Sequence, residues 1–241
     1  MTHSSTESSN FSKLKRLYSL FAFALLLITA SATDTITAAE GVSSASSVHQ
    51  ATSVTASSAL KKLAVKGRAP KTGYSRELFS DGWGDIGECD VRNYILKRDL
   101  TNQVWRKSET CILQTGKLKD PYTGKSISFV RGVSTSFKVQ IDHVVAVSDA
   151  WQKGAQQWSP TKRGRFYNDP LNLLAVDGPT NGAKSDSDAA SWLPPNKAYR
   201  CAYVARQIAV KVKYGAWVTS AEKTAMASVL SRCPGFKLPK S

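Results

Sequence analysis

The sequence predicts an α+β domain, and three sets of residues carry that expectation. Phe137-Lys138-Val139-Gln140-Ile141 alternates apolar and polar side chains, the period of a half-buried strand, and a short apolar run follows at residues 171–176. Cys111-Ile112-Leu113 and Ile127-Ser128-Phe129 read as two further strands on either side of Asp120-Pro121-Tyr122-Thr123-Gly124, a turn with proline at its second position. Helical periods occur elsewhere: apolar residues fall at 91, 95, 96 and 100, then at 201, 205, 208 and 212, then at 226, 229, 230 and 233. The 241 residues suffice for one domain with a substantial core.

The N-terminal segment reads as an export signal followed by a tether. Lys13-Leu14-Lys15-Arg16 precedes an apolar run over residues 17–28, and Ala30-Ser31-Ala32 has the small residues of a cleavage site, so residues 1–32 are expected to be a signal peptide. The run falls short of the ~20 residues that span a bilayer, which argues against a permanent anchor and against stable membrane association after cleavage. Residues 33–58 are rich in Ser, Ala and Thr and are expected to be a disordered linker, with His49 a bystander inside it; the domain is expected over 59–241. Lys and Arg number 33 against 18 Asp and Glu, a net charge of +15. The signal holds Lys13, Lys15, Arg16 and Glu7, so +13 remains on the exported chain, an excess that favours a polyanionic partner such as nucleic acid.

The rest of the chain is read in order. Arg68-Ala69-Pro70-Lys71-Thr72-Gly73-Tyr74 is expected to run extended and wrap the domain. A helix over about 91–100 exposes Arg92 and Arg98, for which solvated charge and phosphate contact are both open. Ser148 is placed to cap a helix running to about Trp158, with Trp151, Ala155 and Trp158 facing inward. Lys162-Arg163-Gly164-Arg165 is expected as a loop whose Lys162, Arg163 and Arg165 are candidates to clamp a nucleic-acid backbone, with a plain solvated loop equally open from composition. Two C-terminal helices end the chain, the first stopped by Gly215 and the second begun by a Thr219/Glu222 capping box. From Cys201 to Tyr214 and from Ser220 to Cys233 are equal steps, roughly 20 Å each at the helical rise. An antiparallel pair therefore brings Cys201 to Cys233 and leaves Cys89 for Cys111; two disulfides suit an exported chain, and no C-x-x-C pair suggests zinc.

The chemistry is concentrated between residues 137 and 192. Asp142-His143 ends the alternating strand, and His143 is the only histidine beyond residue 50. Asn172 sits among core residues, and Asp177-Gly178-Pro179 turns the chain into a short helix near Thr180 that is expected to present Asn181, Lys184 and Asp188 on one face. The order Asp-His, Asn, then Asn followed by Lys-Ser-Asp resembles the HNH nucleases of the His-Me finger (ββα-metal) group. The flanks Asp142-His143-Val144-Val145-Ala146-Val147-Ser148-Asp149-Ala150-Trp151, Asn168-Asp169-Pro170-Leu171-Asn172-Leu173 and Ser191-Trp192-Leu193-Pro194-Pro195 resemble small secreted HNH endonucleases related to the C-terminal domain of GmrSD-type restriction enzymes, over roughly residues 60–233. The third motif position is Asn181 where the HNH pattern has His, a departure that bears on metal affinity.

The resemblance implies a ββα-metal core with flanking helices and a divalent-metal-dependent endonuclease of low sequence specificity acting on DNA or RNA. In that scheme His143 is the general base, Asp142 and Asn181 give oxygen ligands to one Mg²⁺ or Mn²⁺, Asn172 holds the histidine loop, and Lys184 faces the phosphate. For Lys184 a surface pairing with Asp188 is the competing expectation. No small-molecule cofactor is implied. A non-catalytic exported nucleic-acid-binding protein and a nuclease toxin directed at competing cells are the alternatives; a serine or cysteine hydrolase finds little support, since the sequence has no G-x-S-x-G motif and no free-cysteine context.

Overall fold

The computed structural model describes residues 54–239. The expected signal peptide, the linker as far as residue 53 and His49 lie outside the described residues. Helix α1, Ala56–Lys62, begins inside the stretch expected to be linker. Thr55 caps it by accepting from Ser58 N, and its small apolar face (Ala56, Ala59, Leu60) packs against the two C-terminal helices, which is why a Ser/Ala-rich segment is ordered here. Residues 64–75 then form an extended strap across the domain, fixed by Lys66 N to Val218 O, Ala69 N to Gln152 O and Trp217 Nε1 to Gly67 O. It leads into a 3₁₀ turn, Arg76–Leu78.

Strands β1 (Asp85–Ile86) and β2 (Cys89–Asp90) make a small antiparallel pair ahead of helix α2, Val91–Asp99, whose N-terminus is capped by Asp90. The apolar positions Val91, Ile95, Leu96 and Leu100 are all buried, as the helical period requires. Arg92 donates to Val139 O, and Arg98 donates to Pro170 O and Leu173 O, so these two arginines clamp α2 to neighbouring backbone. A three-stranded antiparallel sheet follows in the order β3 (Leu100–Arg106), β4 (Glu109–Lys119) and β5 (Ser126–Val130). The expected turn 120–124 joins β4 to β5, and Asp120 organises it by accepting from Tyr122 N, Thr123 N and Asp177 N.

Strand β6, Val139–His143, starts two residues later than the alternation suggests, because Phe137 belongs to a 3₁₀ turn and is exposed. Helix α3 spans Val147–Gln152. It is shorter than expected and Ser148 lies inside it: the chain breaks at Gly154, whose φ of 127° is strained for any residue with a Cβ, and a 3₁₀ turn carries Ala155 onward. Trp151, Ala155 and Trp158 nevertheless all face the core. The basic stretch expected as a loop is helix α4, Pro160–Tyr167, capped by Ser159 with proline in the first turn. Strand β7, Leu173–Asp177, pairs antiparallel with β6, His143 opposite Leu173 and Val139 opposite Asp177. Asp177 caps helix α5, Gly178–Lys184, by accepting from Thr180 N. α5 stops at Ser185, whose φ is positive at 51°, so Asp188 does not continue the face of Asn181 and Lys184.

Helix α6, Arg200–Tyr214, ends at Gly215, and helix α7, Ser220–Leu230, starts at Thr219. Only half of the expected capping box forms: Thr219 accepts from Glu222 N, while the Glu222 carboxylate turns into the core to meet Lys153 and Lys211. Val212, assigned to the inner face of α6, is half exposed, whereas Ala205 and Ile208 are buried. Disulfides join Cys89 to Cys111 and Cys201 to Cys233, with Cα–Cα separations of 5.2 and 6.5 Å. The β6–β7 pair is covered on both sides. Val139, Ile141, Leu173 and Ala175 pack toward α2 and the three-stranded sheet, while Leu174 and Val176 pack in the cluster that contains α6 and α7.

Candidate active site

His143 closes β6 and is 4% exposed. Its Nε2 lies 2.8 Å from Tyr167 O at the end of α4. A carbonyl oxygen can only accept, so Nε2 carries the proton and Nδ1 of the neutral ring keeps a free lone pair. The ring lies nearly parallel to Trp83, 5.6 Å between centroids and 11° between planes, and tilts against Tyr167 at 4.5 Å. Burial pushes the imidazole pKa down to about 3, the positive charges of Arg76 and Lys184 push the same way, and the Tyr167 carbonyl opposes them. His143 is therefore a neutral imidazole at physiological pH, and the burial that keeps it neutral also weakens it as a base.

Asp142, the preceding residue on β6, has both carboxylate oxygens engaged. Tyr122 donates its hydroxyl to Oδ2 at 2.5 Å, and Lys184 Nζ approaches Oδ1 at 2.9 Å. Burial raises the Asp142 pKa, opposed by the charge of Lys184 and by the two hydrogen bonds. Lys184 also donates to His143 O at 3.0 Å. It is fully buried and does not line the pocket, so neither expectation for it, facing the phosphate or pairing with Asp188 at the surface, matches its position. The reason is local: α5 lies against β6, and a long side chain from its last turn reaches the strand that carries Asp142. Tyr122 is a site residue that sequence reading misses; it stands in the 120–124 turn, with no motif to mark it.

Asn172, fully buried just before β7, binds the chain after His143 from two directions. Its Oδ1 accepts from Val145 N at 2.8 Å, its Nδ2 donates to Val145 O at 3.2 Å, and its own carbonyl accepts from Val144 N. Asn181, on α5, donates its amide nitrogen to Gln140 Oε1 at 2.8 Å, which leaves its Oδ1 without a protein donor. Asp142, His143 and Asn181 all line one pocket of about 370 Å³. Among the described residues no cage of three or more His, Cys, Asp or Glu exists. Asp142 and Asn181 carry the hard oxygen donors that Mg²⁺ or Mn²⁺ prefers, and such ions usually complete their shell with water and phosphate oxygens, so the residue types fit one divalent ion, which would share the Asp142 carboxylate with Tyr122 and Lys184.

The other walls of the pocket come from elements with no motif signal. Lys71, Tyr74 and Arg76 arrive from the strap and its 3₁₀ turn, and Ser148 and Asp186 from α3 and the loop after α5. Asp186 pairs with Lys71 at 3.0 Å and accepts from Ser148 Oγ at 3.1 Å; the Lys71 hydrogen bond leads the causes that hold its carboxyl below the usual range. Lys162, Arg163 and Arg165 do not line the pocket. In helical form their stretch turns two of them back onto the core aromatics, Lys162 over Trp158 at 5.0 Å and Arg163 over Trp151 at 5.7 Å. The Ser159-Pro160 start signal for this helix is present in the sequence.

Behind the pocket lies a buried ionic network. Lys153, fully enclosed, meets Asp149 at 2.7 Å, Asp188 at 2.8 Å and Glu222 at 2.7 Å; Lys211 reaches Asp149 and Glu222, and Arg68 of the strap reaches Asp149 and Asp188. Burial would raise the Asp188 pKa, but the hydrogen bond and charge of Lys153 and the charge of Arg68 outweigh it and bring it to about 2. Three cations face three carboxylates, so the network is neutral and ties the strap, α3, α6 and α7 together.

An antiparallel pair ends in Asp142-His143, Asn172 pins the loop that follows, and α5 brings Asn181 to the same pocket. The model of the C-terminal domain of GmrSD restriction endonucleases matches residues 90–229, more than half of the chain, and the chain belongs to that family. A protein of Arthroderma benhamiae described as an uncharacterized secreted protein is 39% identical over 181 residues, covering 74% of this chain and 85% of its own length. Its secretion agrees with the export expected from the N-terminal segment. No helix among the described residues is long and apolar enough to cross a membrane.

Proposed function

We propose that the chain is an exported endonuclease that hydrolyses phosphodiester bonds of DNA with the help of one divalent ion and with little sequence preference. The observation that carries this reading is His143: a buried, neutral imidazole whose Nε2 is fixed on the Tyr167 carbonyl, in one pocket with Asp142 and Asn181. His143 Nδ1 takes a proton from water as that water attacks the phosphorus. Asn172 keeps the loop after His143 in register, and Tyr122 and Lys184 fix the direction in which Asp142 faces the pocket. Asp142 and Asn181 would hold the ion, which supplies positive charge to a phosphate oxygen and to the leaving 3′ oxygen. The positive excess of the exported chain supports a polyanionic substrate met mainly through its backbone.

The test is plasmid cleavage by the purified secreted chain, with RNA and single-stranded DNA in parallel. Nicking in Mg²⁺ or Mn²⁺ that disappears in excess EDTA is expected. Cleavage undiminished by EDTA contradicts the reading, and binding without cleavage in any metal would leave a nucleic-acid-binding protein.

A further inference from the structure

We infer that Arg76 is the residue that grips the scissile phosphate, a catalytic role carried by the strap turn in place of Lys184; the inference rests on the phosphodiesterase reading of this pocket. Two cations line the pocket besides the buried lysine behind it, and they differ. Lys71 is committed to Asp186 at 3.0 Å. Arg76 makes no ion pair among the described residues: the carboxylate beside it, Glu77, accepts instead from the Ser75 hydroxyl. The Arg76 Nε donates to Tyr167 OH at 3.1 Å, and its guanidinium lies 5.0 Å over the Tyr167 ring. Those contacts orient the fork while leaving both terminal nitrogens free of protein acceptors. Phe79, packed against Trp151 and Phe166, anchors the turn that presents it.

Tyr167 makes this arrangement more than a nearby charge. Its carbonyl holds the His143 ring, its side chain packs on that ring, and its hydroxyl holds Arg76. One residue thus fixes the distance between a proton acceptor and a rigid bidentate donor. A guanidinium fork matches two non-bridging oxygens of a phosphodiester, and the excess negative charge that develops there during attack is what such a donor stabilises. An unpaired exposed arginine otherwise has no need of a built seat beside a buried histidine.

The experiment compares the secreted protein with Arg76→Ala, Arg76→Lys and Tyr167→Phe, each checked for folding by circular dichroism. Two readouts are taken: cleavage in Mg²⁺, and binding of the dinucleotide diester dTpdT in EDTA by calorimetry. Arg76→Ala is expected to lower the cleavage rate about 10²- to 10³-fold, the loss typical of one transition-state donor. It should also weaken dTpdT binding, and added guanidinium at non-denaturing concentration should restore part of the rate. Arg76→Lys should recover only a fraction, and Tyr167→Phe should lose less than Arg76→Ala. Cleavage and binding by Arg76→Ala close to those of the unaltered protein would overturn the assignment. So would a loss matched by Tyr167→Phe and unaffected by guanidinium, which marks a purely structural role. If the unaltered protein cleaves nothing yet binds dTpdT through Arg76, the nuclease reading fails and the phosphate grip stands; neither cleavage nor binding sinks both.

Discussion

At the scale of single residues the site is a set of buried polar groups that hold one another. His143 illustrates the cost. Folded, it holds a second proton only below about pH 3, whereas an unfolded histidine does so below about 6.5. Between those values unfolding takes up a proton, so the stability due to the neutral ring is complete above about 6.5 and drains away as pH falls toward 3. Chemical denaturation from pH 7 to 3.5 should show a loss of a few kcal/mol that is absent from the same curve of His143→Gln; parallel curves would show that the histidine is not held neutral. Asp188 adds a similar loss only lower, as pH falls through the ordinary carboxylate range toward 2.

At the scale of elements, the structure shows how far a sequence can be read. The 3.6 period revealed α2, α6 and α7 because each buries one face against a continuous core, and the alternation found β6 although that strand is covered on both sides; Cys201 does pair with Cys233, but α7 stops at Leu230, so the two last helices are not the equal pair expected and the turn after α7 carries Cys233 to the bridge. The motif residues Asp142, His143 and Asn181 are in one pocket, but Lys71, Tyr74 and Arg76 reach it, and Tyr122 reaches Asp142, through turns and extended chain whose destination no local period encodes. Lys184 is misjudged for a related reason, since a lysine on a polar-looking helix face gives no sign that it will be fully enclosed by the adjoining strand. Gly178 carries a hidden constraint as well. A Cβ there would stand 2.0 Å from Phe137 O, a backbone atom that cannot swing aside. Gly178→Ala should therefore push α5 away from β6, destabilise the domain by about 1–3 kcal/mol and depress activity further by moving Asn181; a melting temperature and rate like those of the unaltered protein would refute that packing.

For the whole molecule, the neutral network of Lys153, Lys211 and Arg68 with Asp149, Asp188 and Glu222 joins parts of the chain far apart in sequence. Lys153→Met would leave an uncompensated carboxylate in the interior, with an expected loss of about 3–5 kcal/mol; a change below 1 kcal/mol in urea denaturation would show that the network is not closed to water. That frame holds the pocket whose proposed division of labour is the central claim, with His143 to move the proton and Asp142 to bind the ion. The direct test is metal rescue of the two alanine variants, both confirmed folded. Cleavage by Asp142→Ala should recover in part at high Mg²⁺ or Mn²⁺, because what it has lost is a ligand. His143→Ala should stay about 10²- to 10⁴-fold down at every metal concentration and respond instead to added imidazole or raised pH. Equal rescue of both variants by metal would contradict the account, since His143 would then be a ligand and not the base.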